Sequence, residues 1–525
     1  MSDARTLTPT ARRIAWRFLL PVQPSFVFDK VVLLGADSDL VDACVATGLA
    51  RVVTATAGDG DADLVAVCSP AVARPKDVVK AAREGGLIYV EVDRRKRDTR
   101  RTTPRRLAAE LATAGASVTA QYALRPAPER CELYLPLDRS GALAWFLSSE
   151  YIASSPLKCV AETLLRWTCG SDAARIGVLA PFHATIAVAG PTAPLSETDH
   201  PTHSMAMIVH GGQRVVQIEF SNRSPGSPRF VTKVPTLVSA GQRTRQEHMM
   251  VTRIRAAMGP PDNETLPNPR QLLDSAAGPI MVEDGAPGRS LAQLCGRWGR
   301  LSREKVDDLR MATSWLIGLH REHAISQGPW DDERVAESVD RPLAAFASRF
   351  GTTNQELELF DATRRAAGDL VGRPLPVVWE HGDFTIWNVF RSGDHLQVLD
   401  WEYSRIGVPL VDIIRLATHW HEAVRRLEVP AERWKGFADL FTGPAAHRAT
   451  KEALAAVWRY EQALDIDSRF RSVFLVMSRV ELSVRRFEHL VESGIIDDDV
   501  RAGNAALGYL SALVERRADL FPTHP

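Results

Sequence analysis

The stretches "VWEHGDFTIWNVF" (378–390) and "LQVLDWEYSRIGVPLVD" (396–412), joined by "RSGDH", decide the reading of this chain. They set an acid, Asp383, five residues before an amide, Asn388, and place a second acid, Asp400, at the end of an apolar run. Phosphoryl transfer calls for this set. One carboxylate orients and deprotonates an attacking hydroxyl, while an amide and a second carboxylate hold the magnesium ions that neutralise a triphosphate. "PVVWEH" and "LQVLDW" are apolar and rich in β-branched residues, which predicts short strands, and "RSGDH" is a turn signal. A hairpin of these two strands would bring the polar loop and Asp400 to one end, facing one cleft. Singly, these residues read as surface acids and a turn amide. The ordered set, with Gly382 after His381 and Pro409 before Asp412, carries the inference.

The segment resembles the aminoglycoside phosphotransferase and choline kinase-like family, whose fold is protein-kinase-like. "HGDFTIWN" resembles that family's catalytic loop, "LDWE" its metal-binding strand end, and "GVPLVD" the helix start that buttresses the loop. The resemblance implies Asp383 as catalytic base, Asn388 and Asp400 as magnesium ligands, and Asp412 as a structural residue. It also implies ATP and Mg²⁺ as cofactors and a small-molecule hydroxyl acceptor of the sugar, aminoglycoside or amino-alcohol type.

Upstream, "SMAMIVH", "QRVVQIEFS" and "RFVTKVPT" read as an antiparallel meander broken by glycine- and proline-rich turns. A kinase N-lobe requires such a meander. Lys233 in the third strand can reach phosphates as a compact charge, and Glu247 in the helical "TRQEHMMVTRIRAA" can face back to pair with it. Gly211 and Gly212 form the one glycine pair placed to cover phosphates, although a hairpin turn alone also explains them. "GPIMVEDGAPG" resembles the family's connection between lobes, so Met281 and Glu283, within Ile280–Glu283, are expected at the adenine edge through their backbone. Further along, Leu309, Ala312, Leu316 and Leu319 recur at helical spacing with His320 as a structural histidine. Val473, Met477, Val480, Val484, Phe487 and Val491 make a core stripe ended by Gly494. His419, Trp420, Glu422 and Arg425 suit either an acceptor pocket or a surface helix, and the sequence leaves them unassigned.

Residues Lys30–Asp93 alternate strand and helix patterns, which predicts a parallel sheet covered on both faces. "PKDVVKAAREGG" reads as a helix stopped at Gly85–Gly86. This region resembles a class I methyltransferase domain in "ADLVAV" and "AAREGGLIYVEV". It departs from that pattern with a single glycine, Gly35, in its first loop and no acid at the end of "RVVTAT". A degenerate Rossmann-like domain is expected. "RRKRDTRRTTPRR" (94–106) is the sharpest charge run, fit either for an acidic or phosphorylated partner or for a solvated loop. Ser140–Trp167 reads as bridging helices.

The expected architecture is thus an α/β Rossmann-like domain followed by an α+β bilobal protein-kinase-like domain. Its segments are 1–135, bridging helices 136–175, an N-lobe 176–289 and a helical C-lobe 290–525. The chain has 525 residues, 45% hydrophobic and 24% charged, with 64 basic and 64 acidic side chains. That composition is globular, and its balance points to no nucleic-acid or membrane partner. Six scattered cysteines form no zinc or disulfide pattern. Without a signal-peptide layout or a long apolar run, a cytoplasmic protein is expected. Two other functions fit the same sequence: a pseudokinase-like binding scaffold without turnover, and a bifunctional methyltransferase–kinase.

Overall fold

A computed structural model of the chain describes residues 13–20, 27–56, 60–68, 73–128, 131–137, 142, 145–146, 180–190, 204–210, 213–220, 227–275, 278–296, 301–492, 501 and 504–522. Most of the bridging segment Ser140–Trp167, the pair Gly211–Gly212 and Gly494 lie outside them. The chain forms two compact units. The first comprises Met1–Tyr151, Val160–Arg245 and Pro269–Ala286; the second comprises Ile152–Cys159, Gln246–Asn268 and Pro287–Pro525. This division differs from the expected segments, because the strands assigned to an N-lobe join the N-terminal sheet.

The strands of the first unit are β1 (Phe28–Leu34), β2 (Ala50–Thr54), β3 (Ala62–Val67), β4 (Ala82–Asp93), β5 (Ala116–Arg125), β6 (Leu133–Pro136), β7 (Phe182–Ala189), β8 (Ser204–His210), β9 (Arg214–Phe220), β10 (Pro228–Pro235), β11 (Pro269–Leu273) and β12 (Ile280–Asp284). They make one sheet in the order β11-β12-β10-β9-β8-β6-β5-β7-β4-β3-β1-β2. β2, β1, β3 and β4 run parallel, as their continuous apolar runs lead one to expect. Helices α1 (Ser38–Ala46), α2 (Pro75–Ala81) and α3 (Pro104–Thr113) connect them. The helix read as far as Gly85 ends at Ala81, and β4 begins at once. Gly86 passes so close to β3 that a Cβ there would lie 2.8 Å from the Ala62 carbonyl.

β7 lies antiparallel between β4 and β5, inside the N-terminal half of the sheet. β6 then pairs with β8 at Leu133–Ile208 and Tyr134–Met207, and Val209 N–H donates to the Glu132 carbonyl at 2.8 Å. That seam makes the α/β half and the expected meander β8-β9-β10 continuous.

One face of this sheet is covered by a short N-terminal helical turn, Ala15–Leu19. Ile14, Trp16, Phe18 and Leu19 share one apolar cluster with Val31 and Tyr89 on the parallel half and with Met207, Val215, Val234 and Ile280 on the meander half. Trp16 stacks on Tyr89 with ring centroids 4.6 Å apart. Arg13 pairs with the buried Glu91 at 3.3 Å, and Gln217 of β9 donates to the Phe18 carbonyl at 2.7 Å.

The second unit is largely helical. It includes most of α4 (Val238–Met258), α5 (Arg303–Glu322), α6 (Leu410–Arg425), α7 (Phe470–Glu492) and α8 (Ala505–Glu515), with strands β13 (Arg289–Ser290), β14 (Val378–Glu380), β15 (Val389–Ser392), β16 (His395–Val398) and β17 (Arg405–Gly407). Leu309, Ala312, Leu316 and Leu319 are all buried in its core, as are Val473, Met477 and Val480, while Val491 at the far end of that stripe is exposed. Cys44, Cys68, Cys131 and Cys295 are free thiols. Among the described residues no helix is long and apolar enough to cross a membrane.

Trp16 is fully buried. Trp16→Ala should lower the stability of the first unit by about 3–5 kcal/mol, read as a reduced urea midpoint of its unfolding transition.

Candidate active site

The catalytic-loop candidate is held by two small sheets, and their pairing differs from the hairpin expected. β14 pairs with β17, while β16 pairs with β15, the strand that follows the loop. The turn at Ser392–Gly393 therefore joins β15 to β16, and "PVVWE" finds its partner beyond Asp400. The outcome still gathers the site. Asn388 immediately precedes β15 and Asp400 closely follows β16. The Leu399 N–H donates to the Asn388 carbonyl at 2.8 Å, so amide and acid stand at the same end of the hairpin. Asp400 has φ 64°, a left-handed conformation uncommon for a non-glycine residue and frequent where function over-determines the backbone.

The loop hangs from Asp412 in the first turn of α6. Its Oδ2 accepts the His381 N–H at 2.7 Å and its Oδ1 the Gly382 N–H at 3.0 Å. Gly382 has φ 74°, and a Cβ there would lie 2.4 Å from the Tyr403 carbonyl, so only glycine fits. Burial, with the charge of Glu380 nearby, pushes the Asp412 carboxyl up to about 7 despite those two N–H groups. His381 Nδ1 accepts the Asp383 N–H at 3.2 Å, and Nε2 lies 3.0 Å from the Leu399 carbonyl. This assigns a neutral ring with the proton on Nε2, and burial lowers its pKa accordingly. Glu247, expected as the partner of Lys233, is a buried residue of the second unit whose charge reaches His381. His320, on α5, is also buried. Nε2 lies 3.0 Å from the Trp379 carbonyl and Nδ1 2.5 Å from the Tyr460 hydroxyl, and burial depresses its pKa to about 3.

Asp383 is half-buried, and both its oxygens are occupied. Asn388 Nδ2 donates to Oδ2 at 3.0 Å, and Arg415 Nη1 donates to Oδ1 at 3.0 Å. With its NH₂ spent on Asp383, Asn388 keeps its amide oxygen for a cation. That oxygen and the Asp400 carboxylate are hard donors of the kind Mg²⁺ takes beside phosphate oxygens and water. Arg415 is the residue that sequence reasoning missed. Its signal was position: three residues after Asp412, it lies on the same face of α6. Arg485 of α7 donates to the Gly382 carbonyl at 2.8 Å and stacks over Tyr403.

Beside the loop lies a cavity of about 250 Å³ lined by Ile386, Trp387, His419, Glu422, Ala423 and Arg426, among others. Trp387, between Asp383 and Asn388, is 53% exposed. Glu422 pairs with His419 at 3.3 Å and accepts the Tyr509 hydroxyl at 2.8 Å. Of the four unassigned residues, His419 and Glu422 reach this cavity. Trp420 is core, donating to the Lys305 carbonyl at 3.0 Å, and Arg425 is exposed.

In the first unit, Lys233 is buried on β10 and forms an ion pair with Glu283 of β12 at 3.3 Å. Met281 lies opposite Lys233 in the register. β12 is paired on both edges, with β10 and with β11, so the ladders use the backbone groups of Ile280–Glu283. Glu283 also supplies a side chain to the lysine.

Asp412→Asn replaces one acceptor oxygen with an NH₂ that faces a backbone N–H. It should destabilise the second unit by about 1–3 kcal/mol, measurable as a lowered unfolding midpoint. The pH dependence has two opposed limbs. His320, neutral in the folded chain down to about pH 3, makes stability fall as pH drops below its ordinary 6.5, because the unfolded chain takes the proton the folded one refuses. Asp412, protonated in the folded chain up to about pH 7, makes stability rise as pH falls from 7 toward its ordinary range. His320→Gln should therefore reduce the loss of stability between pH 6.5 and 4.5, read by urea midpoints at the two pH values.

Residues 211–450 match the family model of the phosphotransferase enzyme family. No curated protein matches the chain. Solved structures similar to it include a choline/ethanolamine kinase family protein from Mesorhizobium loti, at 18% identity and TM-score 0.34 over 63% of this chain and 92% of that one. A macrolide 2'-phosphotransferase from Brachybacterium faecium matches at 16% identity and TM-score 0.34, over 61% and 92%. An amicoumacin kinase in complex with AMP-PNP, Ca²⁺ and amicoumacin matches at 13% identity and TM-score 0.38, over 59% and 88%. The matched segment, residues 211–450, carries Lys233, Asp383, Asn388, Asp400 and Asp412, and its likeness is to a family of phosphotransferases.

Proposed function

We propose that the protein moves the terminal phosphoryl group of ATP, with Mg²⁺, to a hydroxyl of a small polar acceptor. The observation that carries this reading is the Asp383–Asn388 hydrogen bond on a loop suspended from Asp412. It fixes the base and leaves one amide oxygen beside Asp400 for metal. Bound Mg²⁺ would neutralise charge on the transferring phosphates and so supply electrostatic stabilisation. Asn388 and Asp400 are the residues to hold it, and Lys233, paired with Glu283, is the residue to hold phosphate. Asp383 orients the acceptor hydroxyl and takes its proton, with its rotamer locked by Asn388 and Arg415. The cavity beside Trp387 is the place for the rest of the acceptor, where an exposed indole can pack on a sugar-like face.

One observation favours a second reading, a binding scaffold without turnover. Arg415 and Asn388 each occupy an oxygen of Asp383, so an acceptor hydroxyl must compete with donors already in place. The N-terminal half, with its parallel run β2-β1-β3-β4, supports a degenerate Rossmann-like domain. We read it as a structural partner of the strands that carry Lys233 rather than as an active methyltransferase.

The two readings part in one experiment. Thermal unfolding is followed with Mg²⁺ and excess ATP, and phosphate transfer is followed across a panel of hydroxyl acceptors. Ligand at a hundred times its dissociation constant adds about 2.7 kcal/mol, and Asp400→Ala should abolish the metal-dependent shift. Asp383→Asn should keep the shift and lower transfer by about 10²–10⁴-fold. A shift in the unchanged protein with no transfer to any acceptor would leave the scaffold reading standing.

A further inference from the structure

The charge run Arg94–Arg106 plays no part in the proposed transfer, yet it is built as an ordered surface. It leaves the carboxyl end of β4, the side on which open parallel sheets take their ligands. Its backbone is pinned at several points. Thr99 is buried and its hydroxyl donates to the Asp93 carbonyl. The Arg95 N–H donates to Asp93 at 2.9 Å, and the Arg94 N–H donates to the Pro181 carbonyl at 2.8 Å. His183 Nε2 lies 2.9 Å from the Thr102 carbonyl. Thr103 then caps α3, with Pro104 in its first turn.

From this pinned turn the long side chains stand in solvent. Arg95 is taken by Asp93 and Arg106 by Glu110. Lys96, Arg97, Arg100, Arg101 and Arg105 are exposed, and among the described residues none of them makes an ion pair. Asp98 is the one acid among them. Four of these cations stand on the turn and Arg105 in the first turn of α3; like charges so close in sequence repel across a Debye length of about 8 Å, a cost that a bound anion removes. The chain as a whole is electrically balanced, so the charge is local to this surface.

The composition narrows the partner. Four of the five cations are arginines, whose planar forks match phosphate oxygens in pairs. The run carries no aromatic residue on which a nucleobase could stack, and the neighbouring Phe182 ring is covered by the Arg95 guanidinium at 4.2 Å. Nor does the run contain a large apolar side chain to enter a bilayer. We propose that the Arg94–Arg106 loop docks a polyanion carrying closely spaced phosphate groups, gripped through its charges and not through bases or acyl chains.

The test uses the full-length protein and inorganic polyphosphate as probe, with orthophosphate, single-stranded DNA and phosphatidylserine vesicles as comparisons. Polyphosphate should bind, and binding should weaken steeply with added salt. The combined variant R97Q/R100Q/R101Q/R105Q should weaken it at least about tenfold, whereas R74Q/K76Q, which removes exposed cations elsewhere in the same unit, should not. An unchanged unfolding midpoint for the fourfold variant confirms that the fold is intact. The proposal is overturned by the absence of polyphosphate binding at low salt, by full affinity in the fourfold variant, or by orthophosphate, DNA or vesicles binding as well as or better than polyphosphate.

Discussion

Two consecutive backbone N–H groups, of His381 and Gly382, end on one buried carboxylate, and the arrangement of the loop that follows depends on that junction. Asp412 ties the loop at His381–Gly382 to the first turn of α6, where the helix dipole favours a negative charge. From there each constraint follows from the one before. Gly382 must take a left-handed backbone because Tyr403 leaves no room for a Cβ. His381 then turns its Nδ1 to the Asp383 N–H, and Asp383 meets Asn388 on one side and Arg415 on the other. A carboxylate that burial pushes toward neutrality is an unstable post unless its N–H donors stay in place, so loop and helix hold each other.

The first unit solves a different problem. A lysine buried in an apolar sheet must be given an opposite charge. Glu283 on the neighbouring strand does this, two positions along from the residue opposite Lys233 and on the same face, within reach of a long side chain. On the other face, Val234 and Ile280 pack under the N-terminal turn that also grips Tyr89 on the parallel half. The strand that presents Lys233 is thus backed by the N-terminal half of the chain.

Where local signals were strong, they could be read directly. The spacing of Asp383, Asn388, Asp400 and Asp412 survives into three dimensions because short strands and turns fix it. The meander β8-β9-β10, the α5 and α7 stripes and the parallel run were legible from periodicity. What failed was pairing. A turn signal at "RSGDH" shows that two strands meet, and the strand after the loop, not the one before it, proved to be the partner. Nothing in "FHATIAVA" says that β7 inserts between β4 and β5. Register decided that Glu283, read as a backbone contact, gives Lys233 its side chain, and only the docking of α6 reveals Arg415.

The seam between β6 and β8 bears on how the protein can be divided. A cut near residue 175, where composition changes, would strip β6 from β8 and β7 from its place inside the sheet. It would leave the C-terminal part with a bare strand edge at Met207–Val209, a row of unmet N–H and C=O groups of the kind that recruits other chains into aggregates. The two halves are modular in sequence and indivisible in hydrogen bonding: the N-terminal region closes the flank of the sheet that carries Lys233.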